Sequence, residues 1–270
     1  MPAVWKRILS ASLMIPAVLL LIFKGSPAVF AVAIGLLVIL ALHEFYILAS
    51  CPLATAGRIA GLALGSAIVL LPPTGWISPL DVLLFGSVLL GGIGLVDCRE
   101  IETSTRAWIH SVFGLIYVAL PLSLLYPLRF EALGQSGEYR ILFLLIPQWL
   151  QDTAAFFIGS RWGRHRMAPA ISPKKSWEGA VAGLAAAVLG GLLFHFFVLQ
   201  GSEFGRVLVY SLVLGATGQI SDLGESLFKR AVCAKDSSQI IPGHGGVLDR
   251  IDGLLFAAPV YWLLLRYWPL

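Results

Sequence analysis

Residues 28–49 read AVFAVAIGLLVILALHEFYILA, an apolar run broken by His43 and Glu44 only near its end. At ~1.5 Å per residue, a helix of this length spans roughly 30 Å, the thickness of a bilayer's hydrocarbon core. Backbone amides in lipid must be paired within the segment, and a long continuous run satisfies them as a helix rather than as an alternating barrel strand. This stretch therefore sets the fold: a helix that crosses a membrane.

Working outward, eight further runs share the pattern, giving spans near 7–23, 28–49, 57–72, 80–96, 107–127, 140–160, 177–199, 206–228 and 251–268. The expected fold class is all-α, a polytopic integral membrane protein with about nine transmembrane helices. Gly, Pro and charge clusters such as Lys24-Gly25-Ser26-Pro27 and Leu71-Pro72-Pro73-Thr74-Gly75 punctuate the runs. The chain's 58% hydrophobic and 13% charged residues, with a mean hydropathy of +0.85, lie outside the soluble globular range. No repeat, low-complexity tract or soluble domain interrupts the series. Residues 1–135 are expected to hold about five spans with a scaffold, dimer or lipid-access role, and 136–270 about four spans with the catalytic loops. Lys6-Arg7 and the run to Phe23 have the form of a signal peptide, but the run is long and eight spans follow, so an uncleaved helix is expected.

The formal charge of +4 and pI near 9.1 reflect topology rather than nucleic acid, since no nucleic-acid motif accompanies the basic residues. With the N-terminus in the cytosol, Lys24, Arg129, Arg140, Arg206 and Arg266 fall outside, and the remaining fourteen of nineteen Lys and Arg fall inside. That orientation puts the polar loops 161–176 and 229–250 on one cytosolic face. Cys51, Cys98 and Cys233 have no paired or metal-ligand spacing and read as free thiols.

Ionisable residues within spans are costly and mark candidate sites. Asp222, Glu225, Ser226 and Lys229 fall at i, i+3, i+4 and i+7, one face of a helix, with Gly215 and Gly218 extending the stripe. Asp222 lies roughly 10 Å below the level of Lys229. Gln148, Gln151 and Asp152 repeat the pattern at comparable depth. Two such carboxylates could share a divalent cation through hard oxygen ligands, Mg²⁺ better than Zn²⁺, or each could serve as polar glue between helices. The loop through Ser172, Lys174, Lys175 and Ser176 runs into a helix N-terminus, where amides and dipole favour phosphate; the same lysines also serve as topology determinants. In IPGHGGVLDRIDGLL, residues 241–255, the glycines permit close ligand approach, and Asp249 and Asp252 share a face as cation ligands or as helix-capping acids. His244, with no second ligand nearby in sequence, suits a phosphate donor or proton-transfer group.

SLFKRAVCAKDSSQIIPGHGGVLDRID, residues 226–252, resembles the signature of phosphatidate cytidylyltransferases: S-x-x-K-R, then K-D, H-G-G and D-R-x-D. QDTAAFFIGSRWGRHRMAPAISPKKSWEG, residues 151–179, is similar to that family's second characteristic region. The likeness is strong over about 140–268. The first 130 residues share hydropathy, plus Glu44, which matches an acidic residue of the family's second span.

The resemblance implies joining CTP to phosphatidate to give CDP-diacylglycerol and pyrophosphate, with Mg²⁺ required, in an all-helical fold that is commonly a homodimer. On this reading Asp222 and Asp249 are the first metal ligands, with Asp152 and Asp252 as further ligands of one or two cations. Lys229, His244 and Arg250 join Asp222 and Asp249 as catalytic candidates. Ser172, Lys174, Lys175, Ser226, Arg230, Lys235, Asp236, Gly245 and Gly246 are candidates for binding substrate phosphates. The expected location is the cytoplasmic (inner) membrane, with membrane lipids as partners and the active site facing the cytosol. Rival readings are a CTP-dependent lipid-alcohol kinase, which would release CDP, and an ion-coupled transporter, which would show an inverted symmetry absent here.

Overall fold

A computed structural model describes residues 3–49, 55–75, 77–98, 100–199, 201–234, 237–238 and 245–270. Helix α1 runs Ala3–Lys24, α2 Pro27–Leu48, α3 Thr55–Leu70, α4 Pro79–Val96 and α5 Ile101–Gly114. A π-helical turn, Leu115–Ala119, leads to α6 Leu120–Ser123 and α7 Leu125–Phe130. Then come α8 Gly137–Trp162, strands β1 Arg166–Ala168 and β2 Ser172–Ser176, α9 Trp177–Phe197, α10 Phe204–Ala231 and α11 Leu248–Tyr267.

The predicted spans coincide with these helices to within a few residues at most ends. Among the described residues, six helical segments are long and apolar enough to cross a membrane: Pro27–Leu48, Pro79–Val96, Ile101–Phe130, Gly137–Trp162, Trp177–Phe197 and Phe204–Ala231. Ser12–Lys24 within α1 and Ala56–Leu70 within α3 are shorter apolar stretches, and α11 carries Asp249, Arg250 and Asp252 in its first turns. The protein is thus an all-α membrane protein. Large apolar side chains such as Leu84, Phe85, Val88 and Val96 are exposed along α4, as lipid-facing positions require.

Start signals in the sequence are used locally. Ser26 accepts from the Val29 amide with Pro27 at the first helical position, and Ser78 forms a reciprocal capping box with Asp81 ahead of Pro79. The fifth predicted span, 107–127, is a composite rather than one regular helix. Pro121 has no N–H to donate back, and the chain passes through the π-helical turn just before it.

The described residues fall into two compact units, Met1–Tyr126 with Val232–Ile251, and Pro127–Ala231 with Asp252–Leu270. In the first, α2 packs on α3, α3 on α4 and α4 on α5, around the fully buried Val38, Leu42, Phe45, Tyr46 and Ile68. Phe113 and Tyr117 stack at 5.4 Å beside Phe45. In the second, α8, α9 and α10 pack on one another, with Phe143, Tyr210 and Tyr261 buried among them.

Close packing of α8 on α9 depends on small residues. A β-carbon at Gly179 would stand 2.9 Å from the Ala155 carbonyl oxygen and 3.0 Å from Gly159 Cα, so only glycine lets the backbones approach this far.

Candidate active site

The link between α8 and α9, expected as a loop, is an antiparallel hairpin pairing Arg166 with Ser176 and Ala168 with Ser172. Two anchors fix it to α9. Ser176, buried, caps the helix by accepting from the Gly179 amide at 3.2 Å, and Glu178 accepts from the His165 backbone and meets its ring at 2.6 Å. A third anchor comes from the end of α10, where Arg230 Nε donates to the Ile171 carbonyl at 3.1 Å. Trp162 and Trp177, both more than half exposed, flank the hairpin as aromatic residues do at a membrane–water interface.

Beneath the hairpin, α8, α9, α10 and β2 enclose a cavity of about 520 Å³. Its cationic lining is Arg166, Lys174 and Lys175; its acidic lining is Asp152 from α8 and Asp222 from α10. Gln151 and Gln219 add amides, while Ala155, Phe156 and Met167 add apolar surface. Lys175 Nζ lies 2.5 Å from Asp222 Oδ2, with side chains 24% and 36% exposed. At that exposure the pair is still open to solvent or ligand.

The α10 stripe divides its work. Asp222 answers to Lys175, whereas Glu225 is fully buried and Lys229 reaches it at 2.7 Å. Ser226 is half-buried on the next position. Lys229, a catalytic candidate, thus pairs with Glu225 and has 12% of its side chain exposed. Asp252, half-buried on α11, accepts from the Gly253 amide at 2.8 Å, and its carbonyl accepts from Ser221 Oγ. It is close enough to feel the charges of Asp222, Glu225 and Asp152. The second unit therefore gathers Asp152, Asp222, Asp252, Lys174 and Lys175. Among the described residues, no group of three or more His, Cys, Asp or Glu stands ready to hold a metal ion.

The first unit holds the other predicted cluster. Asp249, at the start of α11, accepts from the Ser237 amide at 3.1 Å and the Gly246 amide at 2.8 Å. Gly245 has a φ of +80°, the left-handed region that favours glycine, and turns the chain into that contact. Arg250 is exposed. Lys235, Asp236 and His244 lie outside the described residues.

Sequence reasoning missed the role of Glu44. It is fully buried on α2 and accepts from Ser237 Oγ at 3.0 Å, Ser238 Oγ at 2.5 Å, the Val247 amide at 2.9 Å and the Leu248 amide at 2.8 Å. The signals were an acidic residue inside an otherwise apolar run and its match to an acidic residue in the second span of the family noted above.

The chain is thus a membrane bundle with acidic and cationic groups in one cavity, and comparison with known proteins gives its family. The model of the cytidylyltransferase family matches residues 5–268, and the chain belongs to that family. Similar proteins include the phosphatidate cytidylyltransferase of Haemophilus influenzae, 33% identical, covering 95% of this chain and 96% of that one. That of Brucella suis is 40% identical over 70% of each chain. That of Staphylococcus saprophyticus is 34% identical over 75% of this chain and 77% of its own. The family match begins at residue 5, so the likeness is not confined to the second half.

Proposed function

We infer that the protein is a phosphatidate cytidylyltransferase, a nucleotidyltransferase that joins CTP and phosphatidate to give CDP-diacylglycerol and pyrophosphate for phospholipid synthesis. The observation that carries this reading beyond family membership is the cavity in which Arg166, Lys174 and Lys175 face Asp152 and Asp222. A phosphate oxygen of phosphatidate attacks the α-phosphorus of CTP, a new P–O bond forms, and the bond to the departing pyrophosphate breaks. The attacking group is already an anion, so the reaction needs no enzyme nucleophile. The chain's task is to hold two polyanions together and offset their charge.

Lys174, Lys175 and Arg166 suit phosphate oxygens, and the partly exposed Lys175 can exchange Asp222 for a ligand phosphate. Asp222 and Asp252, with Asp152 beside them, suit Mg²⁺, which is commonly held by one or two carboxylates together with substrate phosphates rather than by a complete protein cage. The bound ion would screen the phosphates and favour the leaving group. Ser172, Ser226 and Arg230 suit phosphate oxygens on the hairpin side, and at the start of α11 Asp249 suits a cation and Arg250 a phosphate.

The reading includes a homodimer, a cytoplasmic-membrane location and a cytosolic active site; the Lys and Arg distribution supports the orientation. Cysteine accessibility at position 174 against position 206 tests it, with labelling from the cytosolic side expected only at 174. The reaction is tested with purified protein, phosphatidate and CTP: pyrophosphate and CDP-lipid should form together. Release of CDP with a phosphorylated lipid would instead favour the lipid-alcohol kinase reading.

A further inference from the structure

Glu44 does more than cap a helix. Each of its oxygens accepts one serine hydroxyl and one backbone amide: Oε1 from Ser238 Oγ and the Val247 amide, Oε2 from Ser237 Oγ and the Leu248 amide. Capping α11 would need only the two amides; the serines lie about ten residues earlier in the chain. The carboxylate therefore clasps both ends of the 237–248 segment to α2. The backbone is pressed against it, since a β-carbon at Gly246 would stand 2.5 Å from Glu44 Oε2 and collide with Ser237 Oγ.

The residues held by Glu44 are the ones that hold Asp249. Ser237 gives its hydroxyl to Glu44 and its amide to Asp249; Gly246, wedged against Glu44, gives its amide to Asp249. A displacement of the Glu44 carboxylate shifts two donors to Asp249, the Ser237 and Gly246 amides. These contacts join residues 193 to 204 positions apart and tie the chain's second helix to its signature segment.

We propose that Glu44 is a positioning residue for the cytidylyl transfer, acting through Ser237 and Gly246 on Asp249. The proposal rests on the function inferred above for Asp249. Glu44→Gln is the sharp probe. It keeps the volume, but in either orientation its amide nitrogen faces one hydroxyl, which can turn to accept, and one backbone N–H, which cannot.

The test uses the full-length protein in detergent. In Glu44→Gln, kcat is expected to fall roughly 10- to 100-fold, the usual consequence of losing a group that orients a site residue, and the Mg²⁺ concentration at half-maximal rate is expected to rise. The KM for CTP should stay within about two-fold. Amide hydrogen exchange without substrates should show residues 245–250 losing protection, with α8 and α9 unchanged. A variant with loosened 245–250 amides but wild-type kcat and Mg²⁺ dependence would overturn the proposal and leave Glu44 a purely structural anchor. If Glu44→Gln does not fold, Ser238→Ala, which removes one of the four donors, decides: a smaller change in the same direction supports positioning, and unchanged kinetics overturn it. Should the wild-type protein make no CDP-lipid, the inferred function fails, while the exchange measurement still shows whether the clasp exists.

Discussion

Glu44 and Asp222 are both carboxylates on membrane helices, and their surroundings are opposite. Glu44 is fully buried with four donors on two oxygens; Asp222 is about one-third exposed and answers to a lysine in a cavity. A saturated carboxylate has no coordination left to offer and holds structure, whereas an undersaturated one beside a movable cation can take a new ligand. The two units thus use the same chemical group for fixation and for exchange.

The sharpest way to break that contrast is at Asp222. Asp222→Asn should leave the protein folded and lower CDP-lipid formation by roughly a thousand-fold, as removal of a key electrostatic group does; turnover near wild type would remove Asp222 from the chemistry. Glu44→Ala should show the reverse emphasis. Each buried donor left without a partner costs about 1–3 kcal/mol, so folded yield and thermal midpoint should collapse, and an unchanged midpoint would mean the clasp carries little stability. Lys175→Met should raise the KM for an anionic substrate by roughly ten-fold or more, since a charge-assisted hydrogen bond contributes about 1.5–3 kcal/mol. Combined with Asp222→Asn it should add little, because the two form one pair; additive losses would separate them. Ser176→Ala, which deletes the α9 cap, should cost about 1 kcal/mol of stability with turnover changed only a few-fold. A loss as large as that at Asp222 would make the Ser176 hydroxyl a direct phosphate ligand.

The span positions were legible because hydropathy is local: α2, α4, α8, α9 and α10 all lie within a few residues of their apolar runs. The i, i+3, i+4 and i+7 spacing on α10 correctly marked a polar face. It did not reveal that Asp222 and Glu225 would take different lysines, since one partner, Lys175, is supplied by a hairpin. That hairpin has short strands, Ser172-Pro173 within β2 and no apolar alternation, so nothing in its pattern separates it from a loop. The Glu44 clasp joins positions nearly two hundred residues apart, beyond any periodicity. Asp249 was read as either a metal ligand or a helix-capping acid, and its bonds to the Ser237 and Gly246 amides show how it is held.

Cytidylyl transfer is followed through the α-phosphorus of CTP. Purified protein in mixed micelles receives phosphatidate, Mg²⁺ and CTP labelled at the α-phosphorus, and both the lipid extract and the aqueous products are quantified. Label is expected to enter the lipid with one pyrophosphate released per molecule and no accumulation of CDP. Label retained in aqueous CDP, with no labelled lipid, would contradict this transfer.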